Sequence, residues 1–288
     1  MNKVIVMCDS TADLSPDLIA KNDIHVVPLH VTFQGDATDY LDGVSLTSEQ
    51  VYEKAEASGT TPKTGAINVF EMQEYFRPYI EQGYDIIFTG IGSGLSSTYA
   101  NAVLASRQFP EGRIEVVDSW NLSTGTGLLV LKMCTYRDQG DDVHAIAEKV
   151  RKLVPFVSAK FCIDRLDYLY KGGRCSGFTM ALAHMLHIHP VAKMVENKLV
   201  VYRKIRGKYR RAVDEQIREF MEDLPRIDKS AVFITDSGHM DGEDEYIREK
   251  IKAYVPEENI FHTRAGCVVS SHCGPKTIGI LYILDPEK

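Results

Sequence analysis

Short apolar runs alternate with amphipathic stretches through the first half of the chain. Four of these runs are rich in β-branched residues and short enough to be buried strands, and they are VIVMC (Val4 to Cys8), HVVPLHV (His25 to Val31), DIIFTGI (Asp85 to Ile91) and IEVVD (Ile114 to Asp118). The first, third and fourth are followed by polar turn residues and a helix-like segment, and Ser15 and Pro16 provide a cap and a first-turn proline after the first. This alternation predicts a parallel α/β sheet.

The pattern changes after about residue 157. The runs AKFCI, AVFITD, NIFHTRAG and IGILYILD, and two strands joined by the tight turn ENK, predict a more antiparallel mixture. We therefore predict an α/β protein with two lobes, a parallel-sheet N-terminal lobe (1–155) and a mixed α/β C-terminal lobe (156–288). The boundary is expected between Lys152 and Ser158, and no internal repeat is seen.

Composition narrows the class of protein. With 288 residues, 44% hydrophobic and 25% charged, the chain is typical of a soluble globular protein. The N-terminus becomes polar too soon for a signal peptide, and no run approaches the roughly 18 apolar residues of a membrane-spanning helix. We expect a cytoplasmic protein.

Charge and cysteines exclude further classes. A net charge of -7 argues against nucleic acid as the main partner. The six cysteines are dispersed without a CxxC pair, so we expect reduced thiols, with no disulfide framework and no zinc site.

A glycine turn follows the third strand in the segment TGIGSGLSSTYANA. It precedes a helix expected from Thr98, so backbone N–H groups, the hydroxyls of Ser93 and Ser96 and the positive end of the helix would face one point at the sheet edge. That arrangement suits a carboxylate or a phosphate. A plain tight turn with Ser96 or Ser97 as the helix cap is the alternative. The glycines do not form GxGxxG, and no GxxxxGK[ST] exists, so nucleotide binding is disfavoured.

Two further turns carry polar side chains of the same kind. PKTGAIN contains Thr64, and SSHCGPKTIG contains His272, whose imidazole can donate to an anion or move a proton. Each residue taken alone is more often an ordinary turn or surface residue.

Taken together, these segments resemble the DegV family. The stretches that carry the resemblance are DSTADL, PKTGAIN, GSGLSSTY, VVDS, YLYKGGRCSG, IHPV and SSHCGPKTIGI, in the family's order and over nearly the whole chain (about 3–284). The resemblance implies a two-lobed α/β fold around a long-chain fatty acid. It also implies a non-catalytic carrier, without a cofactor, whose bound acid is phosphorylated to acyl phosphate by a separate ATP-dependent fatty acid kinase subunit.

The resemblance also implies site residues. The family's ligand threonine falls on Thr64, its ligand serine on Ser93 and its turn histidine on His272, and Gly94 and Ser96 belong to the same glycine turn. Two arginines, Arg174 in the KGGR turn and Arg206 in the later basic strand, are implied as contacts for the partner or the phosphate.

Four departures from the family pattern leave the affinity open. Gly65 replaces a serine, Ser97 a glycine and Cys175 an aliphatic residue, whereas Cys273 together with Pro275-Lys276 alters the histidine turn. The new Lys276 would add a positive charge near the headgroup.

Two segments have open interpretations. The apolar segment Thr179 to His189 predicts a helix that lines the acyl tunnel or simply packs in the core, and its histidines lack a matching set of metal ligands. The basic stretch Lys198 to Arg211 is either a solvated strand face or a docking surface for an acidic partner or a transient contact with an anionic membrane.

A serine hydrolase remains the rival hypothesis. Ser93 and His272 could form a triad with Asp9, Asp118 or Asp236. The nucleophile elbow GxSxG is absent around Ser93, which disfavours this function.

Overall fold

The computed structural model describes residues 2–164, 166–176 and 188–288. Within those ranges the strands are β1 (Val4–Asp9), β2 (Ile24–Val27), β3 (His30–Thr32), β4 (Tyr40–Leu41), β5 (Lys63–Gly65), β6 (Asp85–Gly90), β7 (Ile114–Asp118), β8 (Val157–Cys162), β9 (Cys175–Ser176), β10 (Ile188–Val195), β11 (Lys198–Arg206), β12 (Ile227–Asp236), β13 (Ile260–Arg264) and β14 (Ile278–Leu284). The α-helices are α1 (Pro16–Lys21), α2 (Ser48–Ser58), α3 (Val69–Glu81), α4 (Thr98–Ser106), α5 (Thr124–Asp138), α6 (Val143–Leu153), α7 (Leu166–Gly172), α8 (Tyr209–Asp223), α9 (Glu243–Ile251) and α10 (Cys267–Cys273).

The strands form three sheets. The first is a four-stranded parallel sheet in the order β2-β1-β6-β7, as the alternation of strands and helices predicts. A seven-stranded mixed sheet has the order β13-β12-β14-β8-β10-β11-β9, and its pairs are antiparallel except β12 with β13 and β11 with β9. A small antiparallel sheet, β4-β3-β5, completes the set. The α/β class with a parallel and a mixed sheet is confirmed.

One strand expected from the sequence is divided in two. The run His25 to Val31 becomes β2 in the parallel sheet and β3 in the small sheet. Pro28 lies at the break, and a proline has no N–H to continue a ladder of hydrogen bonds. This break leads the chain from the parallel sheet to the small sheet that carries Thr64.

A central helix joins the two larger sheets. Helix α5 contacts β1 and β6 of the parallel sheet and β8, β12 and β14 of the mixed sheet. One apolar cluster accordingly includes Val6 of β1, Leu129 of α5 and Leu281 of β14, all fully buried. Separate clusters pack α3 and α4 on the parallel sheet and α8 and α9 on the mixed sheet.

The strands change sheets between β7 and β8. Strands up to β7 belong to the parallel and small sheets, whereas β8, which begins at Val157, and all later strands of the described ranges form the mixed sheet. The division into lobes 1–155 and 156–288 stays a prediction, because the core under α5 is shared by both parts. No helix in the described ranges has the length and apolar character needed to cross a bilayer.

The predicted helix Thr179 to His189 lies mostly outside the described residues. Its last residue, His189, belongs to strand β10, where Nδ1 lies 3.1 Å from Asp164 Oδ1 and Nε2 lies 3.0 Å from the carbonyl of Gly207. The prediction that the helix extends to His189 is therefore wrong. Pro190 follows directly, and it pairs at the Cα level with Lys204 of β11.

Candidate functional site

A largely apolar cavity of about 180 Å³ lies between the sheets. Its apolar wall is drawn from many parts of the chain, and representative residues are Leu29, Ile91, Leu122, Phe161, Leu199 and Val269. Its polar groups include Thr64, Ser96, Ser97, Arg174 and His272. An apolar enclosure with a few converging polar groups is the usual form of a small-molecule site.

Thr64 and His272 meet in this cavity, although they are 208 residues apart in sequence. Thr64 Oγ1 lies 2.8 Å from His272 Nε2. Thr64 comes from β5, at the end of the small sheet, and His272 from α10, which packs against that sheet. The pair forms a polar corner in a largely apolar cavity.

The imidazole of His272 is uncharged at neutral pH. Burial lowers the pKa of His272 to about 4, and the positive charge of Arg174 acts in the same direction. A neutral imidazole still has one N–H donor, and the Thr64 hydroxyl can both donate and accept. The corner can therefore bind a carboxylate by hydrogen bonds while Arg174 supplies the positive charge.

Close packing against the KGGR turn positions the histidine. A Cβ atom added to Gly172 would lie 2.6 Å from His272 Nδ1, so any larger residue at this position would displace the imidazole ring. Arg174, two residues later, is exposed at the cavity and its Nη1 donates to the carbonyl of Gly172 at 2.8 Å. The glycine and the arginine of this turn thus act on the same imidazole.

In the glycine turn it is Ser96 that lines the cavity, and Ser93 does not. The Ser93 hydroxyl donates to Asp118 Oδ2 at 2.5 Å and accepts from Asn197 Nδ2 at 2.7 Å, and the amide of Gly94 donates to Asn197 Oδ1 at 3.1 Å. The structure therefore brings Thr64 and His272 together with Ser96, and it does not bring Ser93 or Gly94 to them. The sequence motif predicted a ligand serine in this turn but not its direction.

Ser96 and the start of α4 provide the donors expected of the turn. Ser96 Oγ lies 3.0 Å from Thr98 Oγ1 and accepts from the amide of Thr98 at 3.3 Å. Ser97 is the N-terminal cap residue, and its side chain makes no capping hydrogen bond. The hydroxyls of both serines lie beside the N-terminus of α4, where backbone N–H groups lack helical partners.

The hydrolase geometry is not formed. His272 Nε2 is bonded to Thr64, whereas the Ser93 hydroxyl is bonded to Asp118 and Asn197. A nucleophile and its base must be within hydrogen-bond reach of one another. The structure gives no support to a triad of Ser93 and His272.

Three buried carboxylates hold the loops of the site, and sequence analysis considered one of them, Asp9, only as a possible triad member. Asp9 Oδ2 accepts from the amide of Ile91 at 2.8 Å, Asp13 Oδ1 from that of Gly266 at 2.8 Å, and Asp42 Oδ1 from that of Cys267 at 2.7 Å. Burial raises the pKa of Asp9 to about 6 and that of the other two carboxyls as well. The position of Asp9 and Asp13 in DSTADL, at and just beyond the end of β1, was the available signal.

The departures from the family pattern have different consequences. Gly65 and Cys273 line the cavity, and burial raises the pKa of the Cys273 thiol to about 12, so it is protonated at neutral pH. Lys276 forms an ion pair with Asp241 at 2.5 Å and is not a lining residue. The expectation that Lys276 adds a positive charge near the headgroup stays a prediction, and its charge is paired outside the lining.

The basic stretch is partly neutralised within the chain. Arg203 pairs with Glu215 and Glu219 of α8, and the Arg210 guanidinium stacks 3.7 Å from the ring centre of Tyr246. Arg206, at the end of β11, is exposed and does not line the cavity.

Among the described residues, one group of three metal-ligand side chains lies close together, namely Asp236, Asp244 and His262. Asp236 is already bonded to His262 at 2.5 Å and to the Arg264 guanidinium at 2.7 Å. A cation beside that guanidinium would be repelled, so these residues do not fit a metal ion.

Comparison with known proteins agrees with the architecture. The family model described as an uncharacterised protein of the DegV family matches residues 3–285. A DegV domain-containing protein of Clostridium perfringens is 30% identical over 285 residues, which cover 98% of this chain and 99% of that protein.

Solved structures of other proteins share the architecture of this chain. A DegV family protein of Thermus thermophilus, described as fatty acid binding, superposes with a TM-score of 0.87 at 26% identity and covers 98% of this chain and 99% of its own. A stearic acid-binding protein of Eubacterium ventriosum has a TM-score of 0.84 at 25% identity, with 100% of this chain and 99% of its own covered. The match over nearly the whole sequence and the shared architecture show that the chain belongs to the DegV family.

Proposed function

We propose that the protein binds one long-chain fatty acid in the cavity between its sheets. The observation that carries this proposal is the pair of Thr64 and His272, 2.8 Å apart, at the polar corner of a largely apolar enclosure. Ser96 and the N-terminus of α4 add donors, and Arg174 adds a positive charge. The Thermus and Eubacterium relatives, described as binding fatty acid and stearic acid, support the same ligand class.

The energetics favour an acyl chain with its carboxylate at the polar corner. Burial of each methylene contributes about 0.8 kcal/mol, so a long chain supplies most of the binding free energy. A buried carboxylate loses its hydration and needs several hydrogen bonds to offset this loss. The hydroxyls of Thr64 and Ser96 and the neutral imidazole of His272 would supply them.

The first test is direct. Native mass spectrometry and lipid extraction of the purified protein are expected to detect one fatty acid per chain, and calorimetry with acids of several lengths should give saturable binding. Thr64→Val should weaken binding, whereas Thr135→Val, on the exposed face of α5, is the matched control. Absence of binding for every acid tested would refute the proposal.

We further propose that this cytoplasmic protein is a non-catalytic carrier that presents the bound carboxylate to an ATP-dependent fatty acid kinase subunit. The exposed Arg174 at the cavity supports this, because a planar guanidinium suits both carboxylate and phosphate. Arg206, exposed at the end of β11, is proposed as a second contact for the partner, and the neighbouring basic residues as a transient contact with an anionic membrane.

The kinase role has its own test. Acyl phosphate should form only when a separate kinase subunit and ATP are added. Arg174→Ala and Arg206→Ala should reduce acyl phosphate formation far more than fatty acid affinity, with Arg77→Ala on α3 as a surface control. Equal loss of turnover and affinity would place the arginines in the binding site, and ATP turnover without a partner would contradict the carrier role.

A further inference from the structure

The turn between β10 and β11 contacts the glycine turn that precedes α4. The two turn residues, Glu196 and Asn197, have φ angles of 44° and 63°, as in the two-residue hairpin turns with left-handed backbone. Asn197 uses both ends of its amide, with Nδ2 donating to Ser93 Oγ at 2.7 Å and Oδ1 accepting from the amide of Gly94 at 3.1 Å. We call this contact, together with the bond from Ser93 to Asp118, the latch.

The glycines of the turn are required by this contact. A Cβ atom at Gly94 would lie 1.8 Å from the carbonyl oxygen of Asn197, and one at Gly92 would lie 2.6 Å from Asn197 Oδ1. A non-bonded approach this close would force the hairpin away from the turn. The glycines therefore allow the hairpin to pack against the turn. Sequence analysis had interpreted them only as part of an anion-binding turn or of a plain tight turn.

All three segments joined by the latch continue into the cavity wall. Leu95 and Ser96 follow Gly94, Leu122 follows Asp118 by four residues, and Leu199 follows Asn197 by two. Leu122 and Leu199 are buried in the same apolar cluster, and Leu95 packs against it. Separation of the hairpin from the glycine turn would therefore move apart residues that line the cavity.

The latch is suited to reversible opening. Its hydrogen bonds to Ser93 and Gly94 are exposed to solvent, so water can replace each partner at small net cost. Segments with exposed hydrogen bonds open more often than the core, and in this opening Leu122 and Leu199 would also have to separate. By contrast, the Asp13 and Asp42 anchors on the 266–267 segment are buried, and the buried Asp9 holds the start of the glycine turn through the amide of Ile91.

We propose that Asn197 is a positioning residue that holds the glycine turn in place and sets the rate at which the ligand enters and leaves the cavity. The proposal rests on the proposed function, since it assigns the exchange route of the same fatty acid. Asn197 does not line the cavity and acts through the turn that presents Ser96. Loss of its side chain should accelerate association and dissociation together, so the rates change more than the affinity.

The chain offers a matched pair of variants and a built-in reporter. Asn197→Gly removes the amide and keeps a residue that accepts a left-handed backbone, whereas Glu196→Gly makes the same change one residue earlier at an exposed side chain. Trp120, the single tryptophan, lies beside the latch, where its amide donates to Asp118 Oδ1 at 3.3 Å. Quenching of its fluorescence by acrylamide reports on the latch without any ligand.

The experiment measures exchange and latch opening in the full chain, freed of lipid and then loaded with parinaric acid, a fluorescent long-chain fatty acid. After mixing with excess oleic acid, the dissociation rate should rise about tenfold or more for Asn197→Gly and less than about twofold for Glu196→Gly, where tenfold corresponds to about 1.4 kcal/mol. Quenching of Trp120 in the ligand-free protein should increase for Asn197→Gly and stay unchanged for Glu196→Gly. Gly94→Ala, which displaces the hairpin from the other side, should repeat both changes.

The other possible results of this experiment contradict different parts of the proposal. Equal dissociation rates for all variants would overturn the proposal while leaving fatty acid binding intact. Equal acceleration by Asn197→Gly and Glu196→Gly would assign the effect to turn rigidity and remove the role of the Asn197 amide. If the unaltered protein binds no parinaric acid, the proposed function and the exchange role fail together, and Trp120 quenching still decides whether Asn197 holds the turn.

Discussion

The buried imidazole of His272 should make the protein less stable as the pH falls below neutrality. Its pKa is about 4 in the folded chain, against an ordinary value of 6.5 that applies after unfolding. Between these two values the unfolded chain binds more protons than the folded chain, so acid favours unfolding. This contribution to stability is fully present above pH 6.5 and is lost as the pH falls towards 4.

The size of the effect follows from the two pKa values. At pH 5 the unfolded histidine is almost fully protonated and the folded one holds about a tenth of a proton, which amounts to about 2 kcal/mol. Burial is the larger cause of the shift and the charge of Arg174 the smaller. Asp9, whose pKa burial raises to about 6, acts in the opposite sense, so the total pH dependence does not isolate His272.

A comparison of the protein with its His272→Gln variant isolates the contribution of His272 to the pH dependence of stability. The free energies of unfolding of the lipid-free protein and of His272→Gln are measured in denaturant between pH 5 and 7.5. The substitution removes the imidazole and leaves the aspartates, so the difference between the two proteins should change by about 2 kcal/mol over this range, in the direction that makes the variant relatively more stable in acid. A difference independent of pH, or an NMR titration of His272 near 6.5, would refute the reasoning.

Three further predictions concern the same site. Ser96→Ala should weaken fatty acid binding by about 1.5–3 kcal/mol, as for loss of a hydrogen bond to a charged group, and Ser93→Ala should weaken it less; calorimetry of both variants decides which serine faces the ligand. Gly172→Ala should lower both stability and affinity by about 1–3 kcal/mol, since its Cβ would displace the imidazole; unchanged values would contradict this close contact. Asp42→Asn should destabilise the start of α10 by about 1–3 kcal/mol in denaturant unfolding, because a buried acceptor is lost; a neutral effect would show that other contacts hold α10.

Local sequence patterns determined much of the architecture. Strands β1, β6 and β7 were predicted from short apolar runs because burial on both faces leaves such a run in any fold. Ser15 caps α1 through the amide of Leu18 at 3.3 Å, and the Glu196-Asn197 turn joins β10 to β11, since both depend on neighbouring residues alone. The division of the second strand at Pro28 was missed although its cause, a residue without an N–H, is also local.

Motif resemblance predicted Thr64 and His272 as partners, but only the tertiary structure set their separation of 2.8 Å across 208 residues. It also decided between two serines three positions apart in one turn. Ser93 faces Asp118 and Asn197, whereas Ser96 faces the cavity. The Ser93 hydroxyl is held by a hairpin about a hundred residues later in the chain, whose approach no local pattern of the glycine turn encodes. The sequence alone could specify that a hydroxyl-rich turn starts α4, and only the long-range contact with the β10–β11 turn showed that Ser93 is held by Asn197 and Asp118.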